Sequence, residues 1–317
     1  MNNSTCHICL QPLKNGEDLY HAACCKKLFG STKPPTFPYA WDELNQMAEQ
    51  VINQHITVPG VQPKLSMHIE KGGRTRDSRL TLVGLEGGYI LKPPVAKYPE
   101  MPELEHITMR MAECFGIPTA ECGLIPMEDG QLAFITKRMD RIGNKKLQME
   151  DLCQLTDKLT EQKYRGSMEQ AGKAILQHCD NALFDALRFF EVVLFSFLTG
   201  NSDMHLKNFS LLYKLGGAVS LSPAYDLLPT QLLLPEDTEE SALTINGRKR
   251  RLGRTGFQHL GASLRLNEKQ IANAFSRFEG NLIDAFELLD SGLCSGEIKH
   301  KYLALIQERA KRLKLTL

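Results

Sequence analysis

The stretch TGNSDMHLKNFSLL (residues 199–212) crowds an acid, a histidine, a lysine and an asparagine between two apolar segments. Before it, Ala182 to Leu198 is the most apolar run of the chain. Its spacing reads as a core helix with one wet stripe, formed by Asp185, Arg188 and Glu191. After it, Phe209 to Leu221 reads as two short strands joined by KLGGA. A loop mounted between a rigid helix and a hairpin can aim several polar side chains at one place.

Asp203 and Asn208 are spaced D-x-x-x-x-N, and Asp226 follows in SPAYDL, beyond the hairpin. Protein kinases use this order: one Asp accepts the proton of the acceptor hydroxyl, the Asn binds metal, and the second Asp binds metal. Phosphoryl transfer needs mainly positioning and neutralisation of phosphate charge, so two oxygen donors must converge on Mg²⁺. Asp203 is thus the expected catalytic base, with Asn208 and Asp226 as metal ligands. Lys207 is expected to neutralise the γ-phosphate, and His205 to brace the loop beside ATP. Taken alone, the spacing is weak and fits an ordinary solvated helix-to-strand loop.

The rest of the order strengthens it. A strand lysine must hold the phosphates, and Lys92 in GGYILKPP supplies it; an acid on the next helix must hold that lysine, and MPELEHITMRM offers Glu105 or Glu103. The loop TVPGVQPKLS (57–66), though poor in glycine, is placed to cover the phosphates, making Val58, Gly60, Val61, Gln62 and Lys64 candidate nucleotide contacts. Lys137 to Met139 is the expected connector between lobes, meeting adenine through its backbone.

The wider chain fits a two-part plan. Residues 1–40 form a cysteine-containing leader that ends in STKPPTFPY, and Trp41 to Asn53 has helical spacing. KLSMHIE, RLTLVG and YILKPP alternate as strands of an antiparallel meander, Pro102 to Phe115 reads as a helix closed by Gly116, and GLIPMEDGQLAFITKRMD reads as two strands around EDG. After Asp140 the pattern is mostly helical, near 149–160, 167–179, 182–199 and from about Glu268. The expected fold is therefore α+β and kinase-like: a leader (1–40), a strand-rich N-lobe (41–137) and a mainly helical C-lobe (138–317).

Composition adds limits. The 317 residues are 42% hydrophobic and 24% charged, with a formal net charge of +1, so no overall drive toward nucleic acid or membrane exists. MNNSTCHICL is not the start of a signal peptide, and nine scattered cysteines suit a reducing, cytoplasmic setting.

GVQPKLS, YILKP, KRMDR, NSDMHLKNFSLL and LSPAYDLLP resemble, in order, the signature blocks of the HipA family of bacterial serine/threonine kinase toxins, from about position 55 onward. The resemblance implies a two-lobed kinase-like fold, ATP and Mg²⁺, and protein substrates of the aminoacyl-tRNA synthetase class. The short first lobe is most similar to the compact HipT kinase of three-component HipBST systems, which implies HipS-like and HipB-like partners and contact with DNA only through the antitoxin. HipT-like kinases carry an autophosphorylatable serine pair before GxQPK. The matching positions here are Thr57 and Pro59, so Thr57 is the one acceptor kept. Competing functions are a small-molecule phosphotransferase and a pseudokinase-like binding module.

Two motifs stand outside this scheme. Cys6, Cys9, His21 and Cys24 form C-x-x-C-x₁₁-H-x-x-C, four soft ligands that suit Zn²⁺, or else cysteines serving as buried hydrophobes in a small helical leader. NGRKRRLGR (246–254) is the strongest basic cluster, either a solvated loop or a contact for a phosphate backbone.

Overall fold

The computed structural model describes residues 5–44, 46–47, 62–73, 77–84, 86–143 and 145–316. The chain divides into two compact units. The first comprises Met1–Ile107, Ala120–Arg138 and Ser291–Ser295; the second comprises Thr108–Thr119, Met139–Asp290 and Gly296–Leu317.

The alternating segments of the first unit form an antiparallel sheet. Its strands are β1 (Leu65–Glu70), β2 (Arg79–Leu82), β3 (Tyr89–Lys92), β4 (Cys122–Pro126) and β5 (Leu132–Lys137), in the order β2-β1-β3-β5-β4. Alternation is visible in β1, where Leu65 and Met67 are buried and His68 is exposed. β3 lies centrally, with Leu91 opposite Leu65 on β1 and Lys92 opposite Phe134 on β5. Helix α1 (Ala22–Phe29) belongs to the leader, and α2 (Met101–Cys114) follows β3. Residues 41–44 and 46–47 are helical, and Leu44 is buried.

The leader covers the sheet edge at β4. The backbone N–H of Leu124 donates to His7 O at 2.8 Å, and Leu124 O accepts from the Tyr20 hydroxyl at 2.9 Å. An edge strand presents an unpaired row of such groups, so the leader removes an exposed template for aggregation. The approach is close. A Cβ at Gly123 would lie 2.8 Å from Ile8 Cγ1 and 3.3 Å from His7 O.

The second unit is built on α5 (Ala182–Leu198), which follows the short α3 (Leu152–Leu155) and α4 (Met168–His178). Each of four α5 phenylalanines meets a different part of the unit. Phe189 packs on Phe209 at 4.8 Å, Phe190 on Phe275 at 6.3 Å, Phe195 on Phe115 at 5.5 Å, and Phe197 on Phe257 at 5.2 Å. The expected wet stripe is not wet. Asp185 and Glu191 are buried; Asp185 pairs with Arg188 at 2.9 Å, and Glu191 pairs with Arg277. Arg188 also donates to Leu221 O at 2.8 Å. The stripe faces the sheet and another helix rather than water.

Three further departures have local causes. Residues 149–160 do not form one helical segment. Met149–Asp151 is a strand, β8, paired with β9 (Ser210–Tyr213), which pairs with β10 (Val219–Leu221). The helix begins only after Asp151, whose side chain accepts from Gln154 N in a capping box. Arg141–Ile142 (β6) and Lys145–Lys146 (β7) pair as an unanticipated ribbon. α6 (Thr230–Leu233) and α7 (Arg254–Ser263) precede α8 (Glu268–Gly280), α9 (Leu282–Ser291) and α10 (Gly296–Arg312). The basic run masks the apolar face of α7, although Phe257, Leu260 and Leu264 recur at helical spacing and are fully buried.

Phe195→Ala is expected to cost about 3–5 kcal/mol through the cavity it leaves. Leu183→Ala, at a position on the same helix that is 50% exposed, should cost less than about 1 kcal/mol. Urea denaturation of the two variants measures the contrast.

Candidate active site

In the first unit, Lys92 ends β3, and Pro93 and Pro94 stop the strand behind it. Its Nζ donates to Glu105 Oε1 at 2.5 Å, with the side chains 5% and 1% exposed. The ammonium also sits 5.4 Å from the centre of the Phe134 ring. A buried ammonium is costly unless charge-paired, and Glu105 meets that need. The other helix acid, Glu103, does not take this place; burial pushes its carboxyl up to about 7.

Of the candidate covering loop, Gln62 and Lys64 are described. Gln62 Nε2 donates to Pro93 O at 3.4 Å, which brings it beside the end of β3, while Lys64 is exposed at the start of β1. Thr57, Val58, Gly60 and Val61 lie outside the described residues. Lys137 is half-buried at the end of β5, and its backbone N–H donates to Glu121 O at 2.8 Å. Arg138 is the last residue of this stretch of the first unit, and Met139 opens the next stretch of the second.

In the second unit, the end of α5 launches the loop. The N–H of Gly200 donates to Phe197 O at 3.2 Å, and that of Asn201 to Ser196 O at 2.8 Å. This Schellman closure requires a left-handed residue, and Gly200 has φ 71°. A Cβ at Gly200 would lie 2.5 Å from Leu305 Cδ2. The loop then closes on itself: Asn208 Nδ2 donates to Asp203 O at 3.0 Å, and His205 N donates to the same oxygen at 2.8 Å. The Tyr225 hydroxyl binds both Ser210 Oγ, at 2.6 Å, and Lys207 O, at 2.9 Å, tying the segment after the hairpin to the loop. Asp226 follows in the left-handed region, φ 56°, a conformation that Asp tolerates and that recurs at functional positions. Asn201 Nδ2 reaches Asp226 O at 3.4 Å. Asp203, Asn208 and Asp226 are thus tied into one hydrogen-bonded unit.

Three neighbours of these residues carried no signal in the sequence. The Tyr164 hydroxyl donates to Asp203 Oδ1 at 2.8 Å. Burial and the Asp203 carboxylate push this phenol up, which keeps it a neutral donor. Lys207 Nζ donates to Asp151 Oδ2 at 2.7 Å, so its charge is offset by the same aspartate that caps α3. Tyr225 lay inside the SPAYDL motif but had no assigned part. His205 is buried, its ring edge-on to Tyr164 at 5.1 Å. Burial pushes it down to about 4, so it is neutral near pH 7; its Nδ1 makes no hydrogen bond among the described residues, so the expected bracing bond is not seen and the ring meets the loop through packing on Tyr164.

The basic stretch 246–254 is partly absorbed by the fold. Lys249 pairs with Glu239 at 3.0 Å, and Arg254 donates to Leu313 O at 3.0 Å while lying over Phe275. Arg248, Arg250 and Arg251 are exposed. Among the described residues, no helix is long and apolar enough to cross a membrane.

Known proteins resemble this chain in sequence and in fold. A protein of Haemophilus influenzae named "Putative kinase" is 32% identical over 242 residues, covering 70% of this chain and 67% of that protein. "Putative kinase Y4dM" of Sinorhizobium fredii is 30% identical over 271 residues, covering 81% and 64%. The chain therefore spans about two thirds of the length of these relatives. HipA of Shewanella oneidensis, solved in a toxin–antitoxin complex with HipB and operator DNA, superposes with a TM-score of 0.70 at 19% identity, over 96% of this chain and 75% of that one. The Helicobacter pylori proinflammatory kinase CtkA superposes with a TM-score of 0.53 at 15% identity, over 71% and 87%. These two likenesses concern the fold, which is kinase-like. Residues 56–286 match the HipA-like C-terminal domain, and the chain belongs to that family.

Proposed function

We propose that the chain is an ATP-dependent serine/threonine protein kinase and the toxin of a toxin–antitoxin system. Its substrate is a protein of the aminoacyl-tRNA synthetase class, and it also phosphorylates itself. The observation that carries this reading is the buried pair of Lys92 and Glu105, a strand lysine held by an acid of the following helix. Kinases require this pair to present the lysine to the phosphates.

The remaining roles follow from chemistry. Lys92 holds the α- and β-phosphates, and backbone around Val58, Gly60, Val61, Gln62 and Lys64 covers them. Asp203 accepts the proton of the acceptor hydroxyl through the carboxylate that Tyr164 now occupies. Lys207 can reach a phosphate only by exchanging Asp151 for it. The backbone of Lys137 to Met139 meets adenine.

Asn208 and Asp226 suit a hard cation. The Asn208 amide nitrogen is engaged by Asp203 O, leaving Oδ1 as the ligating atom, and Asp226 adds a carboxylate. Mg²⁺ held there would neutralise charge on the phosphate oxygens. The likeness to HipA, solved with HipB and operator DNA, supports a HipB-like antitoxin partner, with DNA reached only through the antitoxin; a HipS-like partner rests on the sequence resemblance to HipT alone. Thr57 is the autophosphorylation candidate.

Asp203→Asn keeps the hydrogen bond from Tyr164 but removes the base. It should lower phosphorylation of self and substrate by at least about a hundredfold and abolish growth arrest on expression in bacteria, as read by growth curves and phosphoproteomics. If the variant arrests growth as the wild type does, phosphoryl transfer is not the mechanism. Glu105→Ala removes a charge partner of a buried ammonium, at a cost of about 3–5 kcal/mol. It is expected to lower the thermal midpoint and raise the KM for ATP; a variant with both unchanged would show that the pair does not hold the lysine.

His205 gives a pH signature. Its folded pKa of about 4 lies below the ordinary 6.5, so between these values the unfolded chain binds the extra proton. The stability that His205 contributes is therefore present above pH 6.5 and is lost as pH falls toward 4. Chemical denaturation of the nucleotide-free protein at pH 7 and pH 5 should show this loss, and His205→Gln should reduce it.

A further inference from the structure

We propose that Cys6, Cys9, His21 and Cys24 form a structural zinc site that clasps the leader against the edge of the sheet. The four ligand atoms all lie within 4.8 Å of one another. His21 Nδ1 lies 3.2 Å from Cys9 Sγ and 3.8 Å from Cys24 Sγ. A tetrahedral ion with Zn–S bonds of about 2.3 Å and a Zn–N bond of about 2.0 Å sets its ligand atoms roughly 3.5–3.8 Å apart. A shift of less than about an ångström in the widest pairs would complete that geometry.

Four further observations point the same way. First, the histidine tautomer is fixed. Nε2 lies 3.1 Å from Pro12 O, a group that can only accept, so Nε2 carries the proton and Nδ1 turns its lone pair toward the sulfurs. Outer hydrogen bonds of this kind orient metal-binding histidines, and the Glu17 carboxylate 3.6 Å from the same nitrogen adds to it. Second, the backbone makes a tight knuckle at the first pair. Leu10 N donates to Cys6 O and Cys6 N to Gln11 O, both at 2.9 Å, and Leu10 is left-handed with φ 62°. A bulky residue in that region is strained by about 1–3 kcal/mol and persists only where its surroundings hold it.

Third, two of the sulfurs sit in surroundings that favour negative charge. His21 N–H donates to Cys6 Sγ at 3.4 Å, and Cys24 lies in the first turn of α1, where the helix dipole favours negative charge. Fourth, the adjacent Cys25 shows what a packing cysteine looks like here. It is 1% exposed in the apolar core. Burial alone does not separate them, since Cys6 is buried at 0% and Cys9 and Cys24 pack partly buried against the same core; what sets these three apart from Cys25 is that their sulfurs gather with the His21 ring.

Three cysteines and one histidine close a tetrahedral shell and leave no position for substrate, so the site is structural. On binding, the thiol protons leave to solvent as Zn–S bonds form. The clasped knuckle carries two contacts of the first unit: His7 O accepts from Leu124 N on β4, and Ile8 O lies 3.0 Å from His106 Nε2 on α2. His106 follows Glu105 directly, so the clasp steadies the same helix turn that holds Lys92.

The test uses the full chain, expressed in zinc-supplemented medium and purified without chelators or metal-affinity resin, with metal content read by mass spectrometry. One zinc per chain is expected. Cys9→Ser and Cys24→Ser should each reduce it below about one tenth, with a lower thermal midpoint, whereas Cys25→Ser should keep the metal. Reconstituting the reduced wild type with Co²⁺ should give thiolate charge-transfer bands and the intense visible bands of tetrahedral cobalt. Wild type with less than about one tenth of a zinc and no such spectrum overturns the proposal; so does full zinc retention by Cys24→Ser. If the serine variants do not fold, the cobalt spectrum of the wild type decides alone. None of these readouts depends on kinase activity.

Discussion

A charge that folding strips of water must find a partner, and this requirement organises both units. Lys92 is nearly inaccessible and finds Glu105. That pair favours one placement of the first turns of α2 against β3, because sliding the helix by a residue would break a buried ion pair at a cost of several kcal/mol. In the second unit Asp185 meets Arg188, Glu191 meets Arg277, and Arg309 meets Glu240 at 3.0 Å while lying over Phe197. Each pair joins apolar packing to one defined register, which greasy contact alone does not specify.

Around the loop from 199 to 208, constraint comes from backbone groups. The carbonyls at the end of α5 are met by Gly200 and Asn201, the Asp203 carbonyl by His205 and Asn208, and the Lys207 carbonyl by Tyr225. A segment whose polar backbone is so fully used has few other conformations of similar energy. Its side chains are then aimed by the scaffold rather than by their own preferences. Such preorganisation is the condition under which charge stabilisation becomes effective in phosphoryl transfer.

What the sequence revealed depended on the range of the interaction. The meander and α5 were legible because alternation and helical spacing are local. Lys92, Glu105 or Glu103, Asp203, Asn208 and Asp226 stood out because their order along the chain is itself a pattern; the structure pairs Lys92 with Glu105 rather than Glu103 and joins Asp203, Asn208 and Asp226 through hydrogen bonds. The partners of Asp203 and Lys207 were not legible: Tyr164 is 39 residues away and Asp151 is 56 residues away. Nothing in EQKYRG or in the segment around 150 announces such contacts. The stripe of α5 was misread for the same reason, since Asp185, Arg188 and Glu191 look solvated until the elements opposite them are known. β8 escaped notice because three residues are too few to show a period, and α7 because its basic start outweighed its apolar face.

Tyr164 presents to Asp203 a neutral hydroxyl at hydrogen-bond distance, the same chemistry that a serine or threonine acceptor would present. One lone pair of the carboxylate is therefore already engaged by a hydroxyl. An incoming acceptor exchanges one hydroxyl for another, and the number of hydrogen bonds is conserved through the exchange. Water can make the same trade, but it brings no side-chain packing to compensate for moving the tyrosine. If Asp203 is the proposed base, the tyrosine would set a threshold that an acceptor delivered by a larger docked surface crosses more readily than a lone water.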